Sequence, residues 1–197
     1  MLFNKSKDVP PEIVDVDLGK WYTGLNDQEK VKLGRYLKES DTSSRYAFLK
    51  SIVLKANEDE NYKFAIVVGE YSKQIKMHDI EQFNILEELI SAYFGAKDYD
   101  KCLECCNECL ALIPKIKKEL FAKSDGHIPE RLNCRNYKVN VLVGVRFDYD
   151  AGDQALDEYY EMGILSEEDL KFRKQSNKIF KLQKTFDGIY TVKLKDE

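Results

Sequence analysis

The 197-residue chain has no apolar run approaching the roughly 20 residues that a membrane-spanning helix needs. Its first residues, MLFNKSKDVPPEI, lack an apolar core followed by small residues, so no signal peptide is expected and a cytoplasmic location is. Histidine is nearly missing: His78 and His127 are the only two, and neither stands at a metal-binding or catalytic spacing from Cys134 or a carboxylate. The glycines never cluster in the order that a phosphate loop or dinucleotide fingerprint requires. Proline occurs only at positions 10, 11, 114 and 129, which leaves 12–113 free of the strongest helix breaker. Excess basic charge is absent too. A formal net charge of -4 and a pI near 5.4 weigh against a dedicated nucleic-acid binder, whose affinity rests on basic patches. Cysteine is odd in number, five, with four of them inside one helix-length stretch, which points to a reducing compartment.

What is present is amphipathic and helical: 43% hydrophobic and 34% charged residues with a mean hydropathy of -0.51 fit solvated helices around a core. The stretch 83–116 is the most regular. Leu86, Leu89, Ile90 and Tyr93 recur at i, i+3, i+4 and i+7 and predict one helix; Cys102, Cys105, Cys106, Cys109, Leu112 and Ile113 predict a second, closed by Pro114. Between them Gly95 supplies a stop, and Asp98 an acceptor for the free N–H groups of the next turn.

In order, Leu86, Leu89, Ile90, Tyr93, Tyr99, Cys102, Cys106, Cys109 and Pro114 follow a pattern of large and small residues that resembles a tetratricopeptide repeat. Leu86 stands where that family usually has tryptophan, Ile90 where it has glycine, and cysteines take its small positions. Leu49, Ile52, Val53, Tyr62, Ala65, Gly69 and Ser72 lie thirty-seven residues ahead of Leu86, Leu89, Ile90, Tyr99, Cys102, Cys106 and Cys109, so 46–79 reads as an earlier repeat. Val139, Leu142, Val143, Ala155, Tyr159 and Met162 lie fifty-three residues behind their counterparts, so 136–165 reads as a later one, with its turn at 150–153.

The expected fold is therefore mainly α: an antiparallel helix-pair array over 21–165, preceded by an arm at 1–20 and followed by a C-terminal segment at 166–197. In the arm, Val14, Val16 and Leu18 alternate with acids, and we read an extended tail rather than a strand. Trp21 beside Tyr22 anchors a helix that Asn26 and Asp27 start, and Asp41, Thr42 and Ser43 offer caps for the next. A lysine-rich continuation at 115–123 and an irregular segment at 124–129 interrupt the array. Ser166 with the acids after it starts a further helix, and 162–174 also resembles the short C-terminal helical module known as SHOCT. Beyond it Phe180, Leu182, Lys184 and Phe186 alternate with polar residues, Asp187 and Gly188 suit a turn, and Tyr190, Val192 and Leu194 alternate back, which predicts a C-terminal β-hairpin.

Two clusters invite a chemical reading. Cys102, Cys105, Cys106 and Cys109 have the composition of a zinc site, but on a helix they form a stripe about 10 Å long, too elongated to converge on one ion, and they occupy small apolar positions. Packing is the expected role, and no metal or cofactor is called for. Lys171, Arg173, Lys174, Lys178, Lys181 and Lys184 form a run with no acid between Leu170 and Asp187: a solvated face, or a patch for nucleic acid or an acidic partner.

The tetratricopeptide resemblance implies a right-handed superhelix whose concave face is lined by the first helix of each pair. It turns Lys50, Asn57, Asn84, Glu87, Phe94, Tyr137, Asn140 and Phe147 toward that groove, a mix of aromatics and amides suited to a peptide. Chaperone-binding members clamp a C-terminal carboxylate; Lys50 fits that clamp, but Leu54, Glu88, Tyr137 and Val141 fall at its other positions, so no clamp is expected. The expected function is a non-catalytic interaction scaffold. The alternatives are a regulatory subunit using 171–184, and an enzyme built on Cys134 and His127.

Overall fold

The computed structural model describes the backbone of residues 9–193 and the side chains of residues 9–185. Every regular element among them is helical. The chain divides into two units, Met1–Cys105 and Cys106–Glu197.

In the first unit α1 (Pro11–Asp15) begins with Pro11 at its first position, where the missing N–H costs nothing, and α2 (Gly19–Gly24) follows directly. The extended tail expected at this end is corrected from residue 9 onward: Ile13, Val16 and Leu18 are buried in the core, and burying them outweighs the alternating pattern. Trp21 stacks on Tyr71 with ring centroids 5.2 Å apart, the anchoring role expected of it. Asn26 caps α3 (Asp27–Gly34) in a reciprocal box with Glu29. Ser44, one residue after the expected caps, starts α4 (Arg45–Glu58), while Asp41 instead accepts from the Ser43 N–H.

Next come α5 (Tyr62–Ser72) and α6 (Asp79–Gly95), the latter started by His78 in a capping box with Glu81. These three helices pack on one another. The α5–α6 approach is close because residue 69 is glycine: a Cβ there would lie 2.5 Å from Leu89 Cδ2. Gly95 is likewise covered by the Tyr62 ring.

The helix α7 (Tyr99–Ala122) carries the boundary between the units and holds all four clustered cysteines in its buried stripe. Asp98 accepts from the Lys101 N–H at its start. Pro114, expected to close this helix, sits inside it. Proline removes one helical hydrogen bond, but the buried row Leu112, Ile113, Ile116 and Leu120 continues past it and holds the helix together.

In the second unit α8 (Asn133–Val139) runs into a π-helical turn (Asn140–Val145), in which the Arg146 N–H bonds the Val141 carbonyl at 2.9 Å. Asp148 caps α9 (Tyr149–Glu161), so the turn expected at 150–153 lies inside a helix and the reversal falls just before it. Gly152 sits there because α9 meets Val143 too closely for a Cβ. A left-handed Gly163 ends α9, with the Ile164 N–H bonding the Tyr159 carbonyl and the Gly163 N–H that of Tyr160. Buried Arg135 fastens this turn by donating to the carbonyls of Ile164 (2.6 Å) and Glu130 (2.7 Å).

Ser166 caps α10 (Glu167–Lys193) as expected. The expected β-hairpin is overturned: the helix runs unbroken through Phe180, Leu182, Lys184 and Phe186, the proposed turn at Asp187 and Gly188, and on to Lys193, with no strand among the described residues. Leu194 lies outside them. A lone hairpin is marginal in water, whereas a helix already started satisfies its own backbone groups. One internal glycine, costing about 1 kcal/mol, does not end it.

Candidate partner-binding site

Lys50 and Asn57 stand on α4, and Asn84, Glu87 and Phe94 on α6; all five are half-buried. The two helices are tied by side chains. Asn84 donates to the Tyr46 hydroxyl at 2.8 Å, and Asn57 donates to the Glu88 carbonyl at 2.9 Å and its carboxylate at 3.2 Å. Phe94 stands edge-on to Tyr99 with centroids 5.7 Å apart. The Asn84–Tyr46 and Asn57–Glu88 bonds fix these four side chains across the seam before any ligand arrives.

Its electrostatics are acidic. Burial pushes the Glu88 carboxyl above the usual carboxylate range, the bond from Asn57 and the charge of Lys50 work against that, and Glu87 and Glu58 push the same way as burial. The Tyr46 hydroxyl is raised mainly by burial, with Glu81 and Glu88 adding to it. Glu87 and Glu58 act on Glu88, and Glu81 and Glu88 act on Tyr46, so the seam between α4 and α6 is more acidic than basic around these groups.

Tyr137, Asn140 and Phe147 belong to the second unit. Tyr137 is half-buried on α8, Asn140 opens the π-helical turn and is exposed, and Phe147 follows it with a left-handed φ of 55° and the Lys184 ammonium 4.2 Å from its ring centroid.

The basic run is dispersed by the fold. Lys174 pairs with Asp157 at 2.6 Å, Lys181 with Asp150 at 3.0 Å and Lys171 with Glu167 at 2.6 Å. Arg173 donates to the Asn136 side chain at 3.1 Å. A strand of phosphates would have to compete with these partners for most of the run. Asp157 and Asp150 stand on α9, beyond the reach of a local reading of the run, whereas Glu167 lies within α10 itself.

All five cysteines are buried and none forms a disulfide. Cys102 donates weakly to the Ile90 carbonyl at 3.7 Å. Cys134 is buried on α8, while His127 is exposed in the preceding loop. The sequence marks Tyr159 only as a position of the repeat pattern. It is fully buried, its hydroxyl has no hydrogen-bond partner among the described residues, and burial, with smaller contributions from Cys106 and Cys134, raises it far above an ordinary phenol. Among the described residues no helix is long and apolar enough to cross a membrane.

Comparison with protein-family models, with curated proteins and with solved structures finds no match to this chain.

Proposed function

We propose that this protein is a non-catalytic interaction module of tetratricopeptide-like repeats. It binds a peptide segment of a partner protein across α4 and α6. The observation that carries the reading is the pre-ordered polar face on those helices, where Asn84 holds Tyr46 and Asn57 holds Glu88 across the seam. Half-buried amides, an aromatic edge and localised charge give a peptide directed hydrogen bonds together with contact area. The acidic groups of these helices favour lysine, arginine or exposed amide groups in the ligand, so a peptide ending in an acidic carboxylate is a poor occupant.

The test is selection from a displayed peptide library against the full chain, followed by titration of the recovered sequences. The reading expects basic or amide-rich peptides whose affinity falls at least about tenfold in Glu87→Lys and in Asn84→Ala, since the loss of a directed polar contact in a desolvated interface costs about 1.4 kcal/mol or more. Recovered peptides that bind both variants as well as the parent chain contradict it.

A further inference from the structure

The C-terminal helix α10 is amphipathic in the opposite sense to an ordinary surface helix. Toward α9 it presents polar groups: Lys174 and Lys181 pair with Asp157 and Asp150, and buried Asn177 donates to Asp153 at 2.8 Å. Away from α9 it exposes large apolar side chains, with Phe172 at 70%, Ile179 at 49% and Leu182 at 58% of their full accessibility, and Phe180, off the line these three make, is exposed as well. A helix stabilised by its own apolar stripe turns that stripe inward. Here the stripe is left over.

Its spacing is that of a helix-pairing seam. Phe172 and Ile179 are seven residues apart, and Leu182 follows Ile179 by three, the a and d positions of a heptad. Gln175 takes the remaining d position. The residues flanking this seam are Lys171 and Lys178 on one side and Ser176 and Gln183 on the other. Lys178 has no acidic partner among the described residues, and Lys171 has only the exposed Glu167 of its own helix, a weak pair.

The flanks choose the occupant. In a parallel pair of two copies, these lysines would meet serine and glutamine and gain no charge pair. In an antiparallel pair they would meet each other. A helix carrying glutamate at its flanking positions supplies what the seam lacks. We propose that the outer face of α10 is a docking site for an amphipathic helix of another protein, with an apolar a/d stripe flanked by acids. This surface shares no residue with the α4 and α6 face.

Two synthetic three-heptad peptides test it, both with leucine at a and d, one with glutamate and the other with lysine at every e and g position. Each is kept apart from its own copies by like charge, and each is titrated against the full chain by fluorescence anisotropy. The glutamate peptide is expected to bind at least tenfold more tightly than the lysine peptide and to lose at least tenfold affinity in the Ile179→Ser, Leu182→Ser double variant. Lys178→Glu is expected to narrow or reverse the preference. Both changes are at exposed positions, and an unchanged melting temperature verifies that the fold is kept. Equal binding of the two peptides, binding indifferent to the double variant, or a dimer of the chain that dissociates in that variant would each overturn the proposal.

Discussion

The Asn57 amide bonds both the backbone carbonyl and the side-chain carboxylate of Glu88, joining α4 to α6 at the centre of the proposed binding face. Glu88 is the member of that face under tension, since burial raises its carboxyl above the ordinary value. Well below the ordinary value both folded and unfolded chains hold the proton and the group costs nothing. As pH rises from there toward the raised value, the unfolded chain releases its proton first, so stability falls across that window and stays lower above it. Glu88→Gln is expected to raise the melting temperature at neutral pH, to have little effect at the acid end, and to flatten the pH dependence between them. Thermal melts across pH 3–8 check this; a variant less stable at neutral pH contradicts it.

Tyr159 makes a similar point in the second unit. Its hydroxyl is buried without a partner, a state that costs about 1–3 kcal/mol. Tyr159→Phe removes the hydroxyl and keeps the ring, and is expected to stabilise the protein by about 1 kcal/mol in urea unfolding. A loss of stability would show that the hydroxyl is engaged.

Gly69 is required by the closeness of α5 to α6. A methyl group at this position would meet the Leu89 side chain at 2.5 Å, and Leu89 is fully buried. Gly69→Ala is expected to cost about 1–3 kcal/mol. In a double-mutant cycle, Leu89→Ala should relieve part of that cost, because the two changes share one space. Strict additivity would refute the contact.

Pro114 lies on the exposed side of α7. Pro114→Ala restores a backbone donor without disturbing the buried row and is expected to stabilise the protein by about 1–3 kcal/mol. Amide exchange in the preceding turn should slow with it. No change in either would mean that α7 has already adapted to the proline.

The helices of the first unit were legible because Leu49, Ile52, Val53, Leu86, Leu89 and Ile90 recur at helical spacing, and all are buried as that spacing requires. The start of α10 was legible for a comparable reason, since a serine cap followed by acids is a local signal. What failed was local ambiguity resolved by distant contacts. Phe180, Leu182 and Lys184 alternate as a strand would, yet the same residues fit a helix held by Lys174 and Lys181 against acids on α9 that no local window contains. Val16 and Leu18 sit in a short acidic segment, and only the core they enter decides their conformation. The candidate face was legible as a row of residues on first helices. The bonds that fix it, Asn84 to Tyr46 and Asn57 to Glu88, join residues thirty-eight and thirty-one apart and depend on how α4 meets α6.

Whether the proposed face on α4 and α6 binds peptide is read directly by a heteronuclear NMR titration of the full chain with a library-selected basic peptide. Amide shifts are expected to concentrate at Lys50, Asn57, Asn84, Glu87 and Phe94 and to be abolished in Glu87→Lys; saturable binding whose shifts leave α4 and α6 untouched would refute a binding face there.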